Sequence, residues 1–351
     1  MDAQVLATNM HLLPEFGNSI QEIRGDGFPV DQKIYMSLAG YTNATMTKSL
    51  GVFLLSLTDY LYNNTPDIIL LAGDRGEQLM TAIAGAHMNI PVAHIQAGEM
   101  SGNVDGMSRH AMARFVHIHF AANEDARRRL IRSGEEPFRV FQVGAPQLDD
   151  FVQGDIVAAK SIAQRYSLDL SKPVVMVVQH PVTEQAHLAE PQMAATMEAV
   201  AALGYQAVVI YPNNDAGSLA IQACIQKYRN IHIRVERNLP REMFGGLMKV
   251  ASVMIGNSSS GIIEAPLFKL PAVNIGRRQK GRFQGDNVID VPNHDAKQIE
   301  SAARKALSNA FRAHVKKAGH PYGDGRSSRR ILNILKTIPI NEKLLFKQIT
   351  F

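Results

Sequence analysis

Short apolar runs alternate with helix-length segments along nearly the whole of this 351-residue chain. Runs such as residues 68–72 and 253–255 are too short for buried helices, and segments such as residues 78–87 separate them. This alternation is typical of βαβ units, so it predicts parallel sheets rather than a sandwich or a helical bundle. At about 150 residues per domain, the length favours two such units.

The predicted strands fall into two series. In the first half they are residues 4–7, 68–72, 92–95, 118–121 and 140–143, and in the second half 174–178, 207–211, 231–235, 253–255, 272–275 and 288–291. Helices are predicted at residues 78–87, 125–133, 191–203, 242–249 and 296–308. The polar stretch 149–172 marks the junction, so we expect domains at 1–155 and 156–325, followed by a C-terminal helix and tail at 326–351. The last helix, 327–336, could pack on either half.

Composition and charge narrow the choice of partners. The formal net charge of +5 suits an anionic partner. The basic run Arg127 to Arg129 falls in a helical stretch without interleaved aromatics, which favours a solvated helix face over a nucleic-acid site. No run approaches the roughly 20 apolar residues that span a bilayer. A single cysteine, Cys224, and the absence of a signal sequence predict a cytoplasmic protein.

Acidic residues follow two strands of the first half. Asp74 and Arg75 come just after the strand at 68–72, and Glu99 and Asp105 follow the strand at 92–95. The carboxyl ends of parallel strands share one edge of the sheet, so three carboxylates are expected near each other at the ligand-binding edge. The alternative is that Asp74 caps the helix that starts near Glu77, with Arg75 as a local ion-pair partner.

The second half carries residues suited to an anion. The segment 257–261 (Asn-Ser-Ser-Ser-Gly) follows a strand and precedes a predicted helix at 262–268, where unpaired N–H groups and serine hydroxyls can hold a phosphate. Ordinary serine capping is the alternative. Glu264 can accept hydrogen bonds from ribose hydroxyls or complete a cap, and Arg278 offers bidentate contacts to phosphate.

Polar residues also end two other strands of the second half. His180 follows the strand at 174–178, and Asn213 follows the strand at 207–211. A lone histidine is most often structural, and the other histidines lack a metal-binding spacing. We therefore expect neither a metal nor a cofactor.

Read together, these motifs resemble the UDP-N-acetylglucosamine 2-epimerase family over nearly the whole chain. The matching segments are residues 73–75, 94–99, 105 with 109–110, 179–183, 212–213, 256–261 with 264, and 276–279. The Gly-Glu at positions 98 and 99 and the segments 10–12 and 16–18 resemble the hydrolysing branch. The resemblance implies two Rossmann-like, doubly wound parallel-sheet domains, as in GT-B glycosyltransferases, with the active site in the cleft between them.

The resemblance also implies roles for individual residues and a homo-oligomer. UDP would be held by the following residues: Arg75, His180, Asn213, Phe244, Ser258, Ser259, Glu264 and Arg278. The sugar would face His11, Asp74, Glu99 and Asp105. The implied reaction eliminates UDP from UDP-N-acetylglucosamine and inverts C2, giving N-acetylmannosamine for sialic-acid-type sugar synthesis.

Inversion at C2 of the sugar requires more than one acid–base group in the active site, which explains the presence of several carboxylates. A base on one face must remove the C2 proton and an acid on the other face must return one, so their pKa values must differ. Which carboxylate takes which role stays open. Two alternatives also stay open: the same chemistry on a UDP-2,4-diacetamido-2,4,6-trideoxy sugar, and an inactive nucleotide-sugar-binding protein.

The sequence departs from the family pattern at two places. Gly106 stands where some relatives have a second acid after the aspartate that matches Asp105. Family members also begin with a further strand, a Gly-Thr/Ser-Arg-Ala loop and a helix, whereas Met1 and Asp2 lead directly into the strand at 4–7. We therefore expect about 30 upstream residues to be missing, and a form extended by them to be more stable and more active, because the lost strand would be central in the sheet.

Overall fold

The computed structural model describes residues 2–40, 42–154 and 156–350, and within them twelve parallel strands form three sheets. The strands are β1 (Leu6–Thr8), β2 (Gln32–Ile34), β3 (Ile69–Ala72), β4 (Val92–Ile95), β5 (Ile118–Ala121), β6 (Val140–Gln142), β7 (Val174–Val178), β8 (Gln206–Ile210), β9 (Ile233–Glu236), β10 (Val253–Gly256), β11 (Ala272–Ile275) and β12 (Val288–Val291).

Helices separate most of these strands. They are α1 (Ile20–Gly25), α2 (Asn43–Asn63), α3 (Gly76–His87), α4 (Val104–Phe115), α5 (Glu124–Arg132), α6 (Asp149–Gln153), α7 (Ala159–Tyr166), α8 (Ala189–Leu203), α9 (Ser218–Tyr228), α10 (Arg241–Val250), α11 (Ser260–Ile263), α12 (Ala296–Leu307), α13 (Asn309–Lys317), α14 (Ser327–Thr337) and α15 (Glu342–Leu345). In this part of the chain no helix is both long and apolar enough to cross a membrane.

The second half is a six-stranded sheet in the order β12-β11-β10-β7-β8-β9. Helices α8, α9 and α12 cover one face, where Met193, Met197 and Ile299 are buried, and α7 and α10 cover the other, where Ile162 and Leu247 are buried. Both faces of each central strand are therefore in the core, which is why these strands read as continuous apolar runs. The strand order reverses between β7 and β10, so a crevice opens at their carboxyl ends.

The first half has two separate sheets. Strands β3, β4, β5 and β6 pair in sequence, whereas β1 pairs with β2 alone. Among the described residues, one edge of β3 therefore has no strand partner. Sequence analysis did not identify the three-residue β2, because Gln32 and Lys33 hide the apolar pattern of a strand. The expected gain from an upstream extension stays a prediction.

The C-terminal segment returns to the first half. Ile331 of α14 and Leu344 of α15 pack into a core with Phe120 and other side chains of the first-half sheet. The fully buried side chain of Arg139 donates hydrogen bonds to the backbone carbonyls at the end of α15, including Leu344. The sequence left open which half the helix predicted at 327–336 packs against. The packing of Ile331 of α14 into the same core as Phe120 shows that it packs against the first half. The proposed division at 155 and 156 stays a prediction, and Asp155 itself lies outside the described residues.

One predicted helix was wrong in its extent, and the capping alternative for Asp74 does not hold. Helix 262–268 is instead the one-turn α11 followed by a separate 3₁₀ turn, Ala265–Phe268. Pro266 explains the break, because proline lacks the N–H that a continuing helix needs and its ring clashes with the preceding turn. Asp74 does not cap a helix either: α3 begins at Gly76, and Arg75 occupies its N-cap position.

Gly256 ends β10 with a φ of +140°, and a Cβ added there would lie 2.0 Å from the carbonyl oxygen of Val178. We expect Gly256→Ala to lower the free energy of unfolding by about 3 kcal/mol or more, since it adds a backbone clash to an unfavourable φ. Gly204→Ala is the matched control, because its φ is +70° but the space around it is open. It should cost about 1–2 kcal/mol. Equal losses in urea denaturation would contradict the clash at Gly256.

Candidate active site

The crevice at the switch point is lined by residues that follow β7 and β10. The backbone N–H of His180 donates to Asn257 Oδ1 over 2.7 Å, and Asn257 Nδ2 donates to the carbonyl of His180 over 2.8 Å. His180 Nδ1 accepts the N–H of Asn213 over 3.1 Å, so its Nε2 carries the proton. Burial and the Arg278 charge lower the pKa of His180 to about 3. His180 is therefore an uncharged hydrogen-bond donor.

A small cavity of about 80 Å³ lies between the two halves and is almost entirely polar. The first half contributes Asp74, Gln96, Ser101, Asn103, Asp105 and Arg109, the segment after β6 contributes Gln147, and the second half contributes Ser259, Ile263, Arg278, Gln279 and Arg282. Three guanidinium groups thus surround a space large enough for a small charged group. We refer to it as the guanidinium cavity.

A larger cavity of about 220 Å³ adjoins the guanidinium cavity. Arg75, Asn214 and Asp215 form part of its polar wall, and its apolar wall consists of Met36, Leu38, Met46, Leu50 and Val104. Asp105 lines both cavities, so its carboxyl group stands at their junction.

Asp74 is held ionised. Its carboxylate forms an ion pair with Arg109 and accepts a hydrogen bond of 3.3 Å from Ser101 Oγ. Burial alone would raise the pKa of Asp74, but the charges of Arg109 and of nearby Arg282 and Arg278 hold it below its ordinary value.

Asp105 behaves in the opposite way. Burial, with the negative charges of Asp74 and Asp215, raises its pKa to about 6. Asn103 Nδ2 donates to its carboxylate over 2.7 Å, and Arg278 is 4.0 Å away. The two aspartates of the guanidinium cavity therefore have separated pKa values, and Asp105 takes up a proton at a higher pH than Asp74 does.

Glu99 lies behind the cavity wall rather than in it. Its side chain is 2% exposed, forms an ion pair with Arg282 and accepts a hydrogen bond of 3.3 Å from Asn123. Within the described ranges it lines neither cavity. The structure thus brings Asp74 and Asp105 together at the guanidinium cavity. Glu99 lies behind Arg282, which separates it from the cavity.

Two other predicted site residues are engaged elsewhere. Arg75 forms an ion pair of 2.9 Å with Asp215 and donates to Asn214 Oδ1 over 3.0 Å, both in the second half. His11 is exposed, and its Nδ1 lies 2.8 Å from Ser19 Oγ. In the part of the chain that the structure describes, His11 lines neither cavity.

The predicted nucleotide residues extend from the guanidinium cavity across the second half. Ser259 and Arg278 line the cavity, and Ser258 precedes Ser259 at the entry to α11. Glu264 pairs with Arg241 over 3.0 Å through Oε1, while its buried Oε2 has no hydrogen-bond partner among the described residues. Phe244 is partly buried against the core on the α10 face of the sheet.

Sequence reasoning missed several residues of the site. Arg282 and Asp215 have their partners in the other half of the chain, which no local pattern shows. Arg109 was noted only as part of a motif. Gln96 lines the guanidinium cavity with a φ of +62°, unusual for a residue with a side chain. Among the described residues, no group of histidine, cysteine and carboxylate side chains could hold a metal ion.

Two α/β halves built on parallel sheets, with a polar cleft at the switch point of the second-half sheet, define a GT-B-like protein. The model of the UDP-N-acetylglucosamine 2-epimerase family matches residues 1–336, and the chain belongs to this family.

Individual relatives support this assignment. The chain is 40% identical over 349 residues to UDP-N,N'-diacetylbacillosamine 2-epimerase (hydrolyzing) of Legionella pneumophila, covering 99% of this chain and 91% of the relative. It is 31% identical over 308 residues to UDP-N-acetylglucosamine 2-epimerase of Neisseria meningitidis, covering 88% and 80%. A crystal structure of UDP-GlcNAc 2-epimerase from N. meningitidis bound to UDP-GlcNAc shares the fold. Its TM-score is 0.79 at 16% identity, with coverage of 96% and 92%.

The raised pKa of Asp105 predicts a stability cost at neutral pH. Because the folded-state pKa of about 6 lies above the ordinary value of 3.8, the folded protein loses stability as the pH rises from 4 through 6. Asp105→Asn should therefore raise the free energy of unfolding at pH 7 by about 1–2 kcal/mol, and the gain should shrink towards pH 4. The exposed Asp67 supplies the control, Asp67→Asn, which should change stability by less than about 0.5 kcal/mol. If Asp105→Asn raised the free energy of unfolding equally at every pH, the raised pKa of Asp105 would not be its cause.

Proposed function

We propose that this chain is a hydrolysing 2-epimerase that eliminates UDP from a UDP-2-acetamido sugar and releases the sugar with C2 inverted. The observation that carries the proposal is the position of Asp105, a carboxyl group with a raised pKa between a guanidinium-lined cavity and a larger one. The proposed reaction needs a group that can carry a proton beside the site of a charged leaving group, and Asp105 is the candidate for that group.

The two aspartates suit the two proton transfers. Elimination breaks the C1–O bond to UDP and removes the C2 proton, and addition of water then forms a C1–O bond and returns a proton to C2 from the other face. Asp74, kept ionised by Arg109, is the candidate base, and Asp105 is the candidate acid. Their separated pKa values allow both roles at one pH.

The guanidinium cavity suits the diphosphate of UDP. Negative charge develops on the diphosphate as the C1–O bond breaks, and Arg109, Arg278 and Arg282 are placed to donate hydrogen bonds to it. Glu264, with a buried carboxylate oxygen free of hydrogen bonds in the described structure, is the candidate acceptor for ribose hydroxyls.

Of the two sugars considered, we favour the 2,4-diacetamido-2,4,6-trideoxy sugar. The 40% identical relative is named for UDP-N,N'-diacetylbacillosamine. In addition, the apolar wall of the larger cavity suits a C6 methyl group better than a C6 hydroxyl. UDP-N-acetylglucosamine is the second candidate, supported by the 31% identical relative of that name.

Substrate choice can be measured directly. The protein is incubated with each UDP-sugar, while UDP release is followed by a coupled assay and the free sugar by NMR. We expect UDP and a free manno sugar from both, with a higher kcat/KM for the diacetamido trideoxy sugar. Release from neither substrate would contradict the epimerase proposal and favour a nucleotide-sugar-binding protein. A higher kcat/KM for UDP-N-acetylglucosamine would reverse the substrate assignment.

Substitution of the two aspartates tests their roles. Asp74→Asn and Asp105→Asn should each reduce kcat by at least about 100-fold, as expected for losing a general acid or base. Because neither is proposed to hold the nucleotide, UDP affinity measured by calorimetry should not fall. A variant that turns over at the wild-type rate removes its aspartate from the mechanism.

Arg278 tests the nucleotide site of the second half. Arg278→Ala should weaken UDP binding by about 1.5–3 kcal/mol, the usual range for a hydrogen bond to a charged group. Arg304→Ala on the distant helix α12 removes the same kind of side chain and should leave the Kd unchanged. An unaltered UDP affinity in Arg278→Ala would place the nucleotide elsewhere.

A further inference from the structure

We propose that Arg282 contacts the diphosphate of the substrate and that Glu99 is a positioning residue that acts through Arg282. The proposal rests on the proposed function, because it names the role of two further residues at the same site. It differs from the role that the sequence suggested for Glu99, which was acid or base.

Arg282 crosses from one half of the chain to the other. It follows β11 in the second half, yet its guanidinium pairs with Glu99 and lies 3.3 Å from Ser101 Oγ, both after β4 in the first half. Its side chain is 4% exposed. Arg282 lines the guanidinium cavity, whereas in the described structure Glu99 does not. Arg282 therefore stands between Glu99 and any ligand in the cavity.

Glu99 is fixed on every side. Its carboxylate receives Arg282 on one oxygen and Asn123 on the other, and its backbone carbonyl accepts a hydrogen bond of 2.9 Å from Arg109. Both carboxylate oxygens of Glu99 are engaged and, in the described structure, Glu99 lines neither cavity, whereas Asp74 lines the guanidinium cavity and contacts Arg109 and Ser101 through Oδ2 alone. The arrangement suits orientation of a guanidinium rather than proton transfer.

The loop that carries Arg282 is held against the first half by its backbone. The N–H of Gly102 donates to the carbonyl of Arg278 over 2.8 Å, and Arg277 Nε donates to the carbonyl of Gly102 over 3.1 Å. A Cβ at Gly102 would lie 1.7 Å from the carbonyl oxygen of Arg277, so only glycine permits this approach. The contact delivers Arg278 and Arg282 together to one wall of the cavity.

The guanidinium groups of the cavity keep hydrogen-bond donors that an anion could use. Arg109 is neutralised by Asp74 and Arg282 by Glu99. Arg278 lies 4.0 Å from Asp105, beyond hydrogen-bond distance, and the buried Nε groups of Arg278 and Arg282 have no hydrogen-bond partner among the described residues. These donors suit a diphosphate, and Arg282 can reach it without leaving Glu99, since one guanidinium offers five N–H donors.

A double-mutant cycle on UDP binding tests the proposal. Calorimetry gives the UDP Kd of the wild type, Arg282→Ala, Glu99→Gln and the double variant. We expect Arg282→Ala to weaken UDP about tenfold or more, and Glu99→Gln to weaken it in the same direction. The double variant should bind no more weakly than Arg282→Ala alone, because Glu99 acts only through Arg282. The control Lys280→Ala removes an exposed charge from the same loop and should stay within about twofold of wild type.

Arg282→Lys is a second test variant in case Arg282→Ala does not fold. It keeps the charge but loses the planar fork, so we expect a Kd between those of the wild type and the alanine variant. Thermal unfolding shows whether each variant is folded.

Several outcomes would overturn the proposal. UDP affinity unchanged in the folded arginine variants would exclude contact with the diphosphate. Wild-type UDP affinity in Glu99→Gln with turnover lost would make Glu99 a chemical group instead. If the wild type binds UDP and the variants match it, only this inference fails, whereas a wild type that does not bind UDP overturns the proposed function as well.

Discussion

Buried charges paired across the cleft are the constraint on which the rest of this site depends. Arg75 of the first half pairs with Asp215 of the second, and Arg282 of the second half pairs with Glu99 of the first. Removing one partner of the buried pair between Arg282 and Glu99 would leave a charge unpaired away from water, which is strongly destabilising. The two pairs flank the polar cavities: Arg75 and Asp215 line the larger one, and Arg282 lines the guanidinium cavity.

The same pairing separates the pKa values of the carboxyl groups. Asp74 has Arg109 as its own partner and stays ionised, whereas Asp105 has Asn103 as its nearest donor and holds its proton to higher pH. A site that must remove a proton and return one needs such a difference. The two residues are both aspartates, so the difference between their pKa values comes from the side chains that surround them.

The sequence predicted most strands and the edge at which the polar residues gather. Strands such as β7 and β10 are buried on both faces, so the sequence shows them as continuous apolar runs, and the fold determines where the polar residue after each strand lies. Partners distant in the chain could not be predicted: Glu99 and Arg282 are 183 positions apart. The helix predicted at 262–268 was too long, because Pro266 limits α11 to one turn.

The proposed function requires the diphosphate of UDP to lie between the two halves. A crystal structure of the protein with UDP would locate the diphosphate. We expect density for it within hydrogen-bonding distance of Ser259, Arg278 and Arg282, with Asp105 beside its sugar end. If the diphosphate bound elsewhere and the guanidinium cavity beside Arg282 stayed empty, the proposed position of UDP would be wrong.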